Sequence, residues 1–297
     1  MIGVIYTTTH TDYSTITIEF HDKSTQRPIH FTDHHNYSLA CLGSRGALFA
    51  SISNDSEPST LYYKTFDSWS SNSDWNLSLS DGENVKCMAL LKDNIMVATD
   101  QKYLRYLTFS GLQVGLKCLP GPVVTCSGWE SWGFLVYHLG AVAHGEQNLG
   151  FELLDIRMEE RSHSKTGSIP TVGQIRHQGR LPLSPQSQLR WIGFSELSGL
   201  PITFDTSGVL RSLCPHLDWN WVPILDTREY RKKSSSNSIE RYWALGATLD
   251  KFVCLILKGG IEENGEPGFP RPVMSDITLE IPMIQSLSGD GINLEER

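Results

Sequence analysis

The sequence predicts an all-β protein. Short apolar or alternating runs follow one another along the 297 residues, and each is ended by Gly, Asp, Asn, Ser or Pro. Almost no segment keeps the 3.6-residue apolar period of a helix for long enough to form one. So many closely spaced strands indicate a sandwich, a barrel or a radial array of sheets.

The predicted strands have the length and composition of half-buried or buried β-strands. In chain order they are residues 15–20, 37–42, 47–52, 61–66, 85–91, 94–99, 104–109, 123–127, 133–139, 150–156, 189–194, 201–204, 209–213, 221–225, 242–247 and 252–258.

Two hairpins in this series resemble each other. A strand ending in Asp100 is followed by a turn and Leu104-Arg105, and a strand ending in Asp205 is followed by a turn and Leu210-Arg211. The Asp side chain is able to cap such a turn, and Gly208 is able to take the positive φ that a tight turn requires. This pattern is typical of the second and third strands of a propeller blade.

The spacing of the first strands supports the same fold. Candidates lie near residues 36, 84, 121, 188 and 240, at intervals of 48, 37, 67 and 52 residues. Four-stranded propeller blades repeat every ~40 to 50 residues, and the longest interval contains an insertion. The strands before residue 36 add one blade, so we predict a divergent, WD40-like six-bladed β-propeller. Its first blade begins at its second strand, residues 3–7, and is incomplete at the N-terminus.

We assign residues 1–283 to the propeller and residues 284–297 to a polar C-terminal tail. Two polar segments, 157–180 and 231–238, are predicted to be mobile surface loops. The segment after residue 259 is rich in Pro and Gly, and residues 277–281 are extended and alternating.

Composition excludes several functional classes. The net charge of −8 and the pI of about 5.7 disfavour long-range attraction to a phosphate backbone. The longest apolar run, 252–257, is far shorter than the roughly 18 residues of a membrane helix. The N-terminus lacks a secretory signal, and none of the six cysteines forms a Cys-x-x-Cys pair. We predict a cytosolic or nuclear protein without a structural metal.

The histidines invite a metal-site interpretation. His30, Asp33, His34 and His35 lie close in sequence, but adjacent residues of an extended chain point to opposite faces. A solvated loop between two strands fits them better.

Carboxylates near strand ends invite a catalytic interpretation. His21-Asp22 has no Gly-x-Ser-x-Gly nucleophile to partner it, so we assign it to turn chemistry. Glu19, Asp100 and Asp205 could serve a propeller hydrolase, but turn capping is the commoner role of such residues. No Gly-rich loop precedes a Lys-Ser or Lys-Thr pair, so we expect no nucleotide cofactor. We assign no catalytic, cofactor-binding or metal-binding residue.

The tryptophans divide into two groups. Trp191, Trp221 and Trp243 lie in apolar strands and are expected to pack between blades, whereas Trp129 and Trp132 flank a turn and are candidate exposed anchors for a partner.

The densest basic patch is a candidate for weak contact with DNA. It contains Arg228, Arg231, Lys232, Lys233 and Arg241. A solubilising loop is the preferred interpretation, since the chain is acidic and stacking aromatics are sparse there.

Several segments resemble one family. They are 121–124 (GPVV), 135–138 (LVYH), 181–184 (LPLS), 191–195 (WIGFS), 209–211 (VLR), 221–224 (WVPI), 227–229 (TRE) and 242–243 (YW), with 18–22 (IEFHD) near the start and 270–272 (PRP) near the end. These segments resemble the second β-propeller, or SepB domain, of the replisome adaptors. That family includes the WD-repeat and HMG-box DNA-binding protein of animals and the yeast chromosome-transmission-fidelity adaptor.

The resemblance implies a nuclear, non-enzymatic scaffold. It implies a propeller that forms a homotrimer and a hub that links the GINS subunits of the replicative helicase to DNA polymerase alpha–primase, with a role in sister-chromatid cohesion. Similar proteins also carry an N-terminal WD40 propeller and a helical bundle that captures client peptides, and in animals an HMG box. This chain contains none of these, so no client-groove residue is carried over and no trimer-interface residue is named. A generic interaction propeller and a propeller hydrolase stay open as alternatives.

Overall fold

The computed structural model of the chain is built from antiparallel sheets and describes residues 2–11, 13–22, 24, 26–54, 57–66, 73–141, 146–157, 172–233, 240–258 and 273–282. The described residues form six sheets, each made of strands that are consecutive in the chain. This is the strand order of a six-bladed β-propeller, and the predicted fold class is confirmed. No helix among the described residues has the length and apolar character needed to cross a membrane.

The chain divides into two compact units. Unit 1 comprises residues 1–188 and 192–194, and unit 2 comprises residues 189–191 and 195–297. The division passes through one strand, Leu189–Phe194.

The first four sheets belong to unit 1. Their strands, in the order of hydrogen-bonded neighbours, are β1 to β3 (Gly3–Thr9, Ser14–Phe20, Ile29–Asp33), β4 to β7 (Tyr37–Leu42, Gly46–Ser51, Thr60–Thr65, Trp75–Ser78), β8 to β11 (Val85–Leu90, Asn94–Thr99, Tyr103–Thr108, Gln113–Cys118) and β12 to β15 (Val123–Trp129, Trp132–His138, Leu149–Asp155, Gln174–Arg180).

The last two sheets follow in the C-terminal part of the chain. Their strands are β16 to β19 (Leu189–Phe194, Pro201–Asp205, Val209–Cys214, Asn220–Asp226) and β20 to β22 (Glu240–Ala247, Lys251–Lys258, Val273–Thr278). A 3₁₀ turn, Pro215–Leu217, precedes β19, and a short helix, α1 (Thr227–Lys233), follows it.

The core of unit 1 lies between successive sheets. Apolar residues of β2 pack on β5, those of β5 and β6 pack on β8 to β10, and those of β8 to β10 pack on β13 and β14. Phe49, Leu48 and Met96 are representative, since each is almost fully buried. Buried side chains therefore lie on both faces of the middle strands, which explains their nearly continuous apolar sequences.

Unit 2 has one principal core. Ile202, Phe204 and Leu210 of the fifth sheet pack with Phe252 and Cys254 of the sixth. Cys254 is fully buried among these groups, as expected for a cysteine in an apolar run.

The predicted repeat is confirmed at the first strand of each sheet. Sheets two to six begin at Tyr37, Val85, Val123, Leu189 and Glu240, each within two residues of the predicted position. The similar hairpins at Asp100 and Asp205 join β9 to β10 and β17 to β18, which are the second and third strands of their sheets, as predicted. The predicted turn cap is present at Asp205 but is wrong for Asp100, whose carboxylate accepts hydrogen bonds from Asn84 instead.

Four last strands were missed: β3, β7, β11 and β15. The prediction of a loop over 157–180 is wrong for its last part, because β15 (Gln174–Arg180) pairs antiparallel with β14. β15 has a hydrogen-bonded neighbour on one side only and most of its residues exposed, so its sequence lacks apolar alternation. The sequences of β3 and β7 do alternate, but these strands are only five and four residues long. Residues 158–171, 234–239, 259–272 and 283–297 lie outside the described residues, and the domain boundary at residue 283 stays a prediction.

Candidate functional site

A concave site lined by charged residues lies wholly within unit 2. It is a cavity of about 460 Å³ bounded by the β17–β18 turn, by α1 and by the start of β20. Four arginines, Arg190, Arg228, Arg231 and Arg241, line it together with two acidic residues, Asp205 and Glu240. We call this site the arginine cleft.

One wall is the β17–β18 turn. Asp205 Oδ1 accepts the backbone N–H of Val209 at 3.1 Å, and Gly208 has φ +86°. Both features of the predicted turn are thus present. The Asp205 side chain is fully buried and its Oδ2 accepts a hydrogen bond from Arg211 NH1 at 2.6 Å. This carboxylate is neutralised by a structural ion pair, so it does not act as an open acid or base in the cleft.

The second wall is the start of α1. Thr227 donates its backbone N–H and its hydroxyl to Gly208 O, both at 2.9 Å, and so ties the helix to the turn. Arg228 donates two hydrogen bonds to the Asp226 carboxylate, Nε to Oδ1 at 3.1 Å and NH2 to Oδ2 at 2.7 Å. Burial acts to raise the pKa of Asp226, but the bonds and charge of Arg228 outweigh it and lower that pKa. Arg228 is therefore largely neutralised.

The other arginines are held differently. Arg190 on β16 places its guanidinium 5.8 Å from the centre of the Trp243 ring, a cation–π contact. Arg231 donates NH1 to the backbone carbonyl of Glu240 at 3.2 Å. Within the described residues neither side chain has a carboxylate partner. The side chains of Arg190 and Arg231 are only partly exposed. Their positive charges therefore lie inside the cleft and are only partly hydrated.

Two aromatic residues form the floor. Phe204 and Tyr242 line the cleft but are 2% and 7% exposed. Burial, with the nearby Glu240 carboxylate, raises the pKa of Tyr242 to about 12, so the phenol is neutral at physiological pH. The cleft therefore offers cationic and hydroxyl donors above a buried aromatic floor, with no activated nucleophile.

The cleft contains three members of the predicted basic patch, Arg228, Arg231 and Arg241. The loop prediction for 231–238 is wrong at its start, because Arg231 and Lys232 belong to α1. Lys232 is exposed and does not line the cleft, and the Lys233 side chain lies outside the described residues. Arg190 was missed, since nothing in its local sequence indicates that it meets residues more than 35 positions later.

The candidate metal-binding residues lie in or beside the β3–β4 turn, and Asp33 and His30 have hydrogen-bond partners within the protein. Asp33 accepts the backbone N–H groups of His35 and Tyr37, each at 3.0 Å, and His34 and His35 lie in the turn between β3 and β4, as predicted. His30 Nδ1 lies 3.0 Å from Thr17 Oγ1. In the described part of the chain, no three His, Cys, Asp or Glu side chains are grouped to hold a metal ion.

The remaining acidic candidates also have structural partners. Asp22 accepts the backbone N–H of Ser24, which confirms its turn role. Glu19 accepts the Tyr6 hydroxyl at 3.0 Å. Asp100 accepts both the backbone and the side-chain N–H of Asn84, so it fixes the start of β8.

The candidate tryptophan anchors form a tight hairpin. Trp129 and Trp132 pair across a turn in which Glu130 has φ +49°, and both are half-buried. Trp129 stacks on Phe194 at 6.3 Å between ring centres, so it contributes to packing within unit 1. Trp191 packs against the core of unit 2, as predicted for it.

Comparison with known proteins identifies relatives over almost the whole chain. Residues 1–283 match the family described as minichromosome loss protein, Mcl1, middle region. The chain is 32% identical over its full length to human WD repeat and HMG-box DNA-binding protein 1, and 30% identical over 95% of its length to Minichromosome loss protein 1 of Schizosaccharomyces pombe. It is 23% identical over 95% of its length to the DNA polymerase alpha-binding protein of Saccharomyces cerevisiae.

The chain spans 24% to 33% of the length of these relatives. Among solved structures, it is similar to KlHsv2 with loop 6CD replaced by a Gly-Ser linker, with a TM-score of 0.51 and 8% identity. That match covers 85% of this chain and 75% of the other. At this identity the likeness concerns the fold alone.

Proposed function

Because this chain belongs to the family of the Mcl1 middle region, we propose that it is the propeller part of a replication-linked adaptor. In this proposal it is the homotrimeric propeller of a non-enzymatic, nuclear hub. The hub links the GINS subunits of the replicative helicase to DNA polymerase alpha–primase and serves sister-chromatid cohesion.

One observation carries this proposal: the family match covers residues 1–283, the whole predicted propeller. The name of the Saccharomyces cerevisiae relative, DNA polymerase alpha-binding protein, supports the polymerase as partner. The GINS contact and the trimer rest on the resemblance of the sequence to replisome adaptors.

The structure also supports a scaffold rather than an enzyme. The three carboxylates that a hydrolase could have used, at Glu19, Asp100 and Asp205, each accept hydrogen bonds from neighbouring groups of the fold. A catalytic acid or base needs access to substrate and a suitable pKa, and the buried, arginine-paired Asp205 has no such access.

A binding assay with purified proteins tests the partners. The tagged chain, extended by the helical bundle that follows this region in similar proteins, is immobilised and incubated separately with DNA polymerase alpha–primase and with GINS. An unrelated six-bladed propeller of similar net charge is the control. We expect each partner to be retained above the control and to be released by an excess of the same protein without the tag. Retention of neither partner above the control contradicts the adaptor proposal and favours an interaction propeller with a different partner.

A further inference from the structure

Two of the four arginines that line the cleft have no carboxylate partner among the described residues. Arg228 is neutralised by Asp226, while Asp205 is neutralised by Arg211, which lies outside the lining. Arg190 and Arg231 have no carboxylate partner among the described residues. Two partly buried cations in one recess repel each other and lose hydration, so their placement is unfavourable unless an anion joins them.

The groups that line the cleft fit a small oxyanion. Guanidinium groups donate paired hydrogen bonds that match carboxylate and phosphoryl oxygens, and two hydroxyl residues, Thr206 and Ser207, also line the cleft. A cavity of about 460 Å³ is within the size range of small-ligand sites, about 300 to 1,000 Å³. It holds one or two side chains rather than an extended polymer.

The surroundings favour a peptide over nucleic acid. The chain carries a net charge of −8, and Glu229 and Glu240 lie on the segments that form the cleft. A continuous phosphate backbone extends beyond the recess along this acidic surface and is repelled, whereas a single anionic side chain lies within the recess beside the arginines. Base stacking requires exposed aromatic faces, and Phe204 and Tyr242 are buried.

We propose that the arginine cleft binds an oxyanion, a carboxylate or a phosphoryl group, on a side chain of an acidic segment in a partner protein. Arg190 and Arg231 bind the anion, and the Thr206–Gly208 turn forms the opposite wall. This inference rests on the cleft of unit 2 and does not require the polymerase or GINS contact of the proposed function.

The test measures peptide affinity by fluorescence anisotropy on the whole chain. The labelled probes are a glutamate-rich peptide, a phosphoserine peptide of the same length and a matched glutamine peptide. We expect saturable binding of at least one anionic peptide, no binding of the glutamine peptide and weaker binding at higher salt. Comparison of the two anionic probes identifies the preferred oxyanion.

Two single variants locate the site. Arg190→Gln and Arg231→Gln each remove one charge-assisted interaction, for which we expect a loss of affinity of about tenfold or more. Arg180→Gln is the matched control, since Arg180 is an exposed arginine on β15 in unit 1. It makes the same change in net charge, and we expect less than about twofold loss of affinity, as for a screened distant charge.

A third variant leaves the arginines in place. Thr206→Glu adds a carboxylate at an exposed turn position of the cleft, and Gln101→Glu adds one at an exposed position of the corresponding β9–β10 turn of unit 1. We expect loss of binding for the first and retention for the second. If Arg190→Gln or Arg231→Gln unfolds the chain, the comparison of Thr206→Glu with Gln101→Glu still shows whether the peptide binds in the cleft.

Three results would overturn the proposal: no saturable binding of either anionic peptide, equal effects of the cleft variants and their controls, or displacement of bound peptide by a single-stranded oligonucleotide through the same arginines. The last result would make the cleft a nucleic-acid site. Polymerase retention is measured in a separate assay, so failure here is distinct from failure of the adaptor proposal.

Discussion

At the scale of single residues, buried carboxylates paired with arginine are a recurring feature of this chain. Glu83 accepts hydrogen bonds from Arg105 at 2.9 and 2.6 Å, and Asp205 accepts a hydrogen bond from Arg211 at 2.6 Å. Both arginines occupy the third strand of their sheets, in the repeated apolar-Arg pattern of the sequence. Removing one partner of such a buried pair lowers the free energy of unfolding by about 3–5 kcal/mol. The repeated apolar-Arg pattern is therefore explained by the stability of the fold and needs no catalytic role.

Asp155 gives a pH-dependent prediction. Its carboxylate is 3% exposed, and hydrogen bonds from Arg157, with those from Arg176, lower its pKa from 3.8 to about 2. A depressed folded-state pKa stabilises the fold above the unfolded pKa, and this contribution is lost as the pH falls from about 4 through 2. We expect Asp155→Asn to lower the free energy of unfolding at pH 7 by about 2 kcal/mol.

Urea unfolding of both proteins at several pH values checks this prediction. The difference between wild type and Asp155→Asn is expected to be constant from pH 7 to about 5 and to shrink below about 4. A difference that stays the same down to pH 2.5 would mean that the ion pairs with Arg157 and Arg176 do not stabilise the fold.

At the scale of elements, the hairpins and the last strands of the sheets behave differently. The hairpin strands are buried on both faces, whereas last strands such as β11 and β15 have exposed polar residues and one hydrogen-bonded neighbour. Turn chemistry is local, so the Asp205–Gly208 turn could be read from its residues. Pairing of β15 with β14 joins residues separated by 19 to 30 positions, and no local pattern encodes it.

Glycine substitutions test the role of the β17–β18 turn. Gly208 and Gly82 both have positive φ, but a Cβ at Gly208 would overlap Thr227 Oγ1, whereas a Cβ at Gly82 meets no atom within 4 Å. We expect Gly82→Ala to lower the free energy of unfolding by about 1–2 kcal/mol, the usual cost of placing an L-residue other than glycine at positive φ. Gly208→Ala is expected to lower the free energy of unfolding by more, because the overlap also disturbs the hydrogen bond from the Thr227 hydroxyl to Gly208 O that joins α1 to the turn. Equal losses in urea unfolding would show that Thr227 does not restrain this turn.

At the scale of the whole molecule, an acidic chain contains a local basic recess. The sequence has 25 Lys and Arg residues against 33 Asp and Glu, yet four arginines line one cleft in unit 2. The net charge of a protein affects its long-range attraction to partners, whereas the arginines in a cleft affect which groups bind there at short range. These properties are consistent with the proposed binding of single anionic side chains of other proteins in the cleft.

Self-association of the chain is tested by its mass in solution. If this propeller contains the surface for the proposed homotrimer, light scattering at micromolar concentration gives about three times 33.3 kDa. Arg190→Gln and Thr206→Glu serve as controls, because we place the arginine cleft in partner binding and expect their mass to be unchanged. A monomeric mass at all concentrations would contradict a trimer surface within this chain.

The all-β class, the starts of five sheets and the capped hairpin at Asp205 were predictable from local sequence, because apolar periodicity and turn residues act over a few positions. The three-dimensional structure was needed to show where the last strands pair, which tryptophans are half-buried and which charged side chains lie together. The arginine cleft shows the reason: Arg190 joins Arg228, Arg231 and Arg241 through strand pairing and helix placement. Contacts of that kind depend on distant residues and leave no local pattern in the sequence.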